Sequence, residues 1–137
     1  MALSIEEIAR EAAVTKLGLD KAVREYFDTL DARLEEADER AQNTPVNSDM
    51  MFAALSLPIA NGLIHFASTR EKLISAEVWI REQLEDTRQE DVDPLATLSA
   101  LTLIYLVHEG YVRNRADPKK AETWNRMIGR VKNLQKI

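Results

Sequence analysis

The chain has no cysteine and only four glycines and four prolines among its 137 residues, and aromatic side chains make up just 6%. Without cysteine there is no disulfide framework, no thiolate metal site and no thiol nucleophile. So few turn-forming residues argue against a β fold, which needs glycine and proline at its reversals. No run alternates apolar and polar residues over a convincing length, so no sheet is predicted. Long hydrophobic runs are scarce as well. The most apolar, "LATLSALTLIYLV" at 95–107, is shorter than the roughly twenty residues that span a bilayer. The start, "MALSIEEIARE", is acidic and amphipathic, unlike a secretory signal or a basic transit peptide. Glycine-rich phosphate loops and serine nucleophile elbows are missing too. With 45% hydrophobic and 30% charged residues, the composition is that of a soluble globular protein. A cytoplasmic location with no membrane partner is expected.

What is present is helix. The length suits one domain with a proper core, and the pattern predicts an all-α, compact bundle of five to seven helices. An acidic hairpin spans 1–42, apolar helices span 48–113, and a basic helix spans 117–137. Ser4 and Glu7 form a capping box ahead of the stripe Ile5, Ile8, Ala9, Ala12 and Ala13, and Gly18 suits the C-terminal cap. Asp20 is placed as the cap of a second helix, about 21–42, which carries Ala22, Val23, Tyr26, Phe27, Leu30 and Leu34 on one side. Its distal half, "EEADERAQ", is charged nearly all round and is expected to project into solvent. "NTPVNSD" then breaks the chain. Pro58 should kink or break the apolar segment that follows. Further on, Leu73, Ile74, Val78, Ile80 and Leu84 are the expected inward residues. The pairs Asp93–Pro94 and Asp117–Pro118 mark two helix starts. The first of these helices, about 94–113, is apolar on most faces and should be the buried centre.

Charge is unevenly placed. Residues 1–50 hold six bases and twelve acids, residues 51–110 four and nine, and residues 111–137 eight and two. The net charges are therefore −6, −5 and +6, which sum to the −5 of the whole chain. On the last helix Ala121, Trp124, Ile128, Val131 and Leu134 form a stripe that docks on the bundle. Arg113, Arg115, Lys119, Lys120, Arg126, Arg130, Lys132 and Lys136 surround it. Bases anchored at fixed spacing match phosphate contact with release of counterions. They also match pairing with the acidic 31–39 segment of the same or a neighbouring molecule. These eight residues are the candidate nucleic-acid contacts.

Other chemistries find less. His65 and His108 are the only histidines, and neither lies in the Glu-x-x-His pattern of a di-iron bundle. Glu36 with Glu39 and Glu82 with Glu85 are acids one turn apart, as in magnesium-dependent nucleotide hydrolysis, but they also suit a solvated face. No catalytic residue, metal or cofactor is assigned, and a non-enzymatic protein is expected.

Two resemblances add to this. "SLPIANGLIHFAS" at 56–68 resembles the helix-breaking segment of the small all-α subunit of type III CRISPR effector complexes. "LIYLVHEGYVRN" at 103–114 and a last helix opened by Trp124 fall where that family has comparable helices. The resemblance implies a non-catalytic subunit of an RNA-guided antiviral complex, stacked in several copies with basic faces toward the target strand. Its partners would be a single strand or RNA hybrid, held by its backbone, together with other protein subunits and copies of itself. A small subunit of another RNA-guided complex would fit as well. Residues 5–26, "IEEIAREAAVTKLGLDKAVREY", resemble the helix-turn-helix of bacterial repressors, which would read DNA near Thr15 and Lys16. A third reading needs no nucleic acid: a protein–protein assembly, phage-type structural or chaperone subunit whose bases pair with acidic helices.

Overall fold

The computed structural model describes residues 3–84 and 93–134. Its order is α1 (Ile5–Glu11), a π-helical segment (Ala12–Lys16), α2 (Asp20–Gln42), α3 (Ser48–Ala67), α4 (Arg70–Gln83), α5 (Pro94–Asn114) and α6 (Pro118–Leu134). The six α-helices are those of an all-α bundle, and no strand occurs among the described residues. Lys136 and Glu85 lie outside the described residues, as does the side chain of Leu134.

Local signals set most helix starts. The Ser4 Oγ accepts from the Glu7 amide while the Glu7 carboxylate accepts from the Ser4 amide, completing the capping box. Asn47, Thr69, Asp93 and Asp117 cap the later helices through their side-chain oxygens. Each satisfies an amide that has no partner within its helix. Gly18 ends the first segment at φ +69°, where a side chain would be strained. Asp20 is not a cap. Leu19, buried and without a side-chain acceptor, holds that position, and Asp20 falls in the first turn of α2.

α5 is the central rod. Eleven of its residues are buried, from Leu98 to Gly110, and it packs against α1, α3 and α6. Trp124 of α6 is fully buried against it, directly over Gly110, where an added Cβ would come within 2.6 Å of the indole ring. The indole Nε1 has no hydrogen-bond partner, so shape rather than polar contact seats this ring. Met127, absent from the expected stripe, is buried beside Trp124, Ile128 and Val131.

Three expectations need correction. The distal half of α2 does not project into solvent: Ala37, Asp38 and Ala41 are buried. α3 is not broken at Pro58 but runs through it. Proline there leaves the Ala54 carbonyl without its helical partner, and both residues lie on the exposed side, where water can satisfy it. On α4, Ile74 and Val78 face outward and Ala76 and Ile80 inward, while Tyr26 on α2 is also half exposed. α4 packs mainly on the π-helical segment, with Lys16 over the Trp79 ring at 5.5 Å. Its inward stripe is therefore narrow.

Two of the helical glycines test this packing in opposite directions. Gly110→Ala should lower unfolding free energy by about 1–3 kcal/mol, because the methyl group overpacks the indole. At Gly62 an added Cβ meets nothing within 4 Å, so Gly62→Ala should raise stability by about 0.5–1 kcal/mol through helix propensity. Chemical denaturation of the two variants measures both. Equal effects would refute the Trp124–Gly110 contact as the seat of α6.

Candidate functional site

The bases of α6 converge on carboxylates of this chain. Arg126 Nη2 lies 2.7 Å from Asp38 Oδ2, and Arg130 Nη1 lies 3.1 Å from Asp38 Oδ1. Arg130 Nε also faces Asp49 Oδ1 at 3.8 Å. Gln42 Nε2 donates to Asp38 Oδ2 at 2.9 Å. Asp38 is 1% exposed and the Arg130 side chain 10%. Arg130 Nη1 and Asp38 Oδ1 have no hydrogen-bond partner despite their short separation, so that attraction is Coulombic rather than directional. The seam joins α2, the start of α3 and α6, and breaking it by removing one partner leaves a buried charge uncompensated.

The other bases follow the same pattern. Lys120 Nζ sits 3.9 Å from Asp31 and 3.7 Å from Glu35. Lys132 Nζ contacts Glu6 Oε1. Arg113 lies 3.7 Å from Glu109, with its guanidinium over the Phe27 ring at 4.3 Å. Only Arg115 and Lys119, both exposed, make no ion pair among the described residues. Arg113, Lys120, Arg126, Arg130 and Lys132 are thus each paired with a carboxylate of this chain, although only Arg130 is buried. A phosphate reaching Arg130 would have to displace a buried carboxylate. The acidic partners are largely those of the 31–39 segment, in the same molecule.

Proton affinities follow from these contacts. Burial works to raise the Glu6 carboxyl, but the hydrogen bond and charge of Lys132 bring it below the ordinary value. Asp31 is raised, first by burial and then by Glu35, with Lys120 opposing. Burial, with Glu109 adding, pushes Tyr105 up to about 12. Tyr105 is thereby a neutral residue of the core.

No catalytic grouping emerges among the described residues. A cleft of about 410 Å³ beside Ser4, Glu6, Arg10, His108, Asn125 and Lys132 has its main charges already matched: Glu6 by Lys132 and Arg10 by Glu109. No cluster of three or more potential metal ligands exists among the described residues. Glu36, Glu39 and Glu82 are exposed. In the segment that resembles a helix-turn-helix, Leu17 and Leu19 are buried, and Lys16 is stacked on Trp79. The first turns of α2 pair Lys21 with Glu25 and Arg24 with Asp20.

The surface that sequence reasoning missed is α3. Met50 to Ala67 contains no Lys, Arg, Asp or Glu, which reads as a core helix. Yet only 28% of its apolar window is buried, against 61% for α5. Both helices are long and apolar enough to cross a membrane by length and composition, more than the short run at 95–107 suggested. Met50 is 61% and Phe66 70% exposed, and Phe66 meets Tyr26 edge-on at 6.0 Å. Beside the N-terminal half runs a groove of about 380 Å³ lined by Met50, Ala53, Leu57, Ala100, Leu103 and Val131. The missing signal is a polar face: α3 is apolar all round, so periodicity could not say which side packs.

Asp38→Asn should cost about 3–5 kcal/mol in urea unfolding, because two guanidinium groups lose their buried counter-charge. Arg115→Ala should stay within about 0.5 kcal/mol. Asp31→Asn should stabilise the protein at pH 7. A carboxyl raised on folding weakens the fold once ionised, so this gain should vanish as pH falls below the ordinary aspartate range. Thermal melts at pH 7 and pH 3 check it. A gain unchanged with pH would contradict the raised Asp31.

Comparison with protein-family models, curated proteins and solved structures gives no match for this chain.

Proposed function

We propose that this is a non-catalytic helical subunit of a protein assembly, which works by docking another polypeptide on the outward face of α3. The observation that carries this reading is that α3 has no Lys, Arg, Asp or Glu beyond Asp49 and leaves Met50, Ala54, Pro58, Gly62 and Phe66 exposed along one side. Exposed apolar surface of this extent costs solubility unless something covers it, and an apolar helix face is a common protein-docking element. The pairing of the α6 bases supports the same choice over backbone contact with nucleic acid. Electrostatic attachment to phosphates needs several accessible cations. Among the described bases from Arg113 to Lys132 only Arg115 and Lys119 are unpaired.

A photoreactive phenylalanine at position 54 or 62, introduced into the full chain in cells, should form adducts with polypeptide. The same group at Arg24, on the charged face of α2, should not. Adducts only to lipid, or none at any position, would overturn the reading. A generic single-stranded oligonucleotide at low salt should show no mobility shift. A salt-sensitive shift lost on Arg115→Glu with Lys119→Glu would replace this reading with the RNA-guided small-subunit role.

A further inference from the structure

We propose that α4 is a releasable arm, which opens and recloses as one unit about the joint at Ser68 and Thr69 while the rest of the bundle stays folded. The sequence of α4 supplies little to hold it. Of its fourteen residues only Ala76 and Ile80 are buried, with Leu73 and Trp79 partly covered. α5, by contrast, buries eleven of twenty-one. An isolated helix as short as α4 is marginal in water, so its stability comes from the face it covers. Two buried side chains are a narrow hold.

Its seat is short as well. α4 packs mainly on the five residues of the π-helical segment and lightly on α5, whereas α3 is held by α2, α5 and α6 together. No ion pair joins α4 to another element among the described residues: Arg81 pairs with Glu77 of the same helix. Its charged contacts are two lysines. Lys16 lies over the Trp79 ring at 5.5 Å, and the Lys72 ammonium stands 3.0 Å from where a Gly18 Cβ would be. A cation–ring contact that solvent reaches adds only modestly.

The joint suits rotation. Ser68 (φ −112°, ψ 141°) and Thr69 (φ −89°, ψ 164°) are both extended. The last bond of α3, from the Ser68 amide to the Ile64 carbonyl, and the first of α4, from Leu73 to Thr69, stop on either side of it. The Thr69 hydroxyl caps α4 by accepting from the Lys72 amide, so the helix keeps its start when it swings. The outer side of α4 is apolar too, with Ile74 51% and Val78 52% exposed. Docked and released states therefore differ in burial chiefly by the Ala76–Ile80 stripe and its seat. Regions with few buried apolar contacts open at free energies below that of global unfolding.

Amide hydrogen exchange of the full chain, followed by NMR from zero to about 1 M urea, tests this. Amides from Ile74 to Ile80 should exchange at least about tenfold faster than those from Leu101 to Val107 in α5, and with a shallower urea dependence, because release exposes less surface than unfolding. Ile80→Ala should speed α4 exchange at least about tenfold. Met127→Ala, in the core under α6, should speed α5 exchange and leave α4 rates unchanged, with Val131→Ala as the milder variant. α4 amides that match α5 in rate and urea slope, or that speed up together with α5 in the Met127 or Val131 variant, would overturn the proposal. So would rates that decline one amide at a time from Gln83 inward, the mark of fraying at an end rather than release of a unit.

Discussion

The ring of Trp124 lies against the bare backbone of Gly110, and the position of every base on α6 depends on that contact. A larger residue at 110 would lift the helix. With α6 seated, Arg126 and Arg130 are carried onto α2 and the start of α3, where Asp38 and Asp49 meet them. Packing decides where the charges go, and the charges then fix the rotation of the helix about its axis. Desolvating these groups costs several kcal/mol per ion. The seam is thus a better account of geometry than of net stability.

Charge separation along the chain becomes charge cancellation in space. The −6 of the first fifty residues and the +6 of the last segment are brought together by α6, which packs on α5 and α3 and sends its bases to carboxylates of α2 and α1. Lys120, Arg126 and Arg130 meet α2 carboxylates, and Lys132 reaches Glu6 at the start of α1. Five of the eight bases that a linear reading treats as one pole are paired with carboxylates of this chain. The outward-facing consequence lies elsewhere, on a helix with no Lys, Arg, Asp or Glu beyond its first turn.

α3 has one side that the bundle needs and one that it does not. Phe52, Ser56, Ala60, Leu63 and Ile64 turn inward, enough to hold it against α2, α5 and α6. Its other side is equally apolar and meets solvent. A monomer optimised for water would place Lys or Glu there at little cost to packing. Their absence from the whole stretch, in a chain that is 30% charged, is the physical basis for assigning that side to another polypeptide.

The sequence by itself determined the helices: where they begin, that they are helices, and that α5 lies at the centre. Capping boxes, Asp–Pro starts and a Gly turn act within four residues of chain, and a helix as apolar as α5 has nowhere to go but inside. Tertiary structure alone decided which faces of α2, α3 and α4 are covered, and which acid each base meets. Asp38 looked solvated in its local setting, since its partner Arg126 lies 88 residues away. The exposure of Met50 and Phe66 had no local sign, since nothing in an apolar helix marks which of its sides will be covered. Periodicity reports a preference for two environments. Only the packing of the other helices supplies those environments or leaves a face without one.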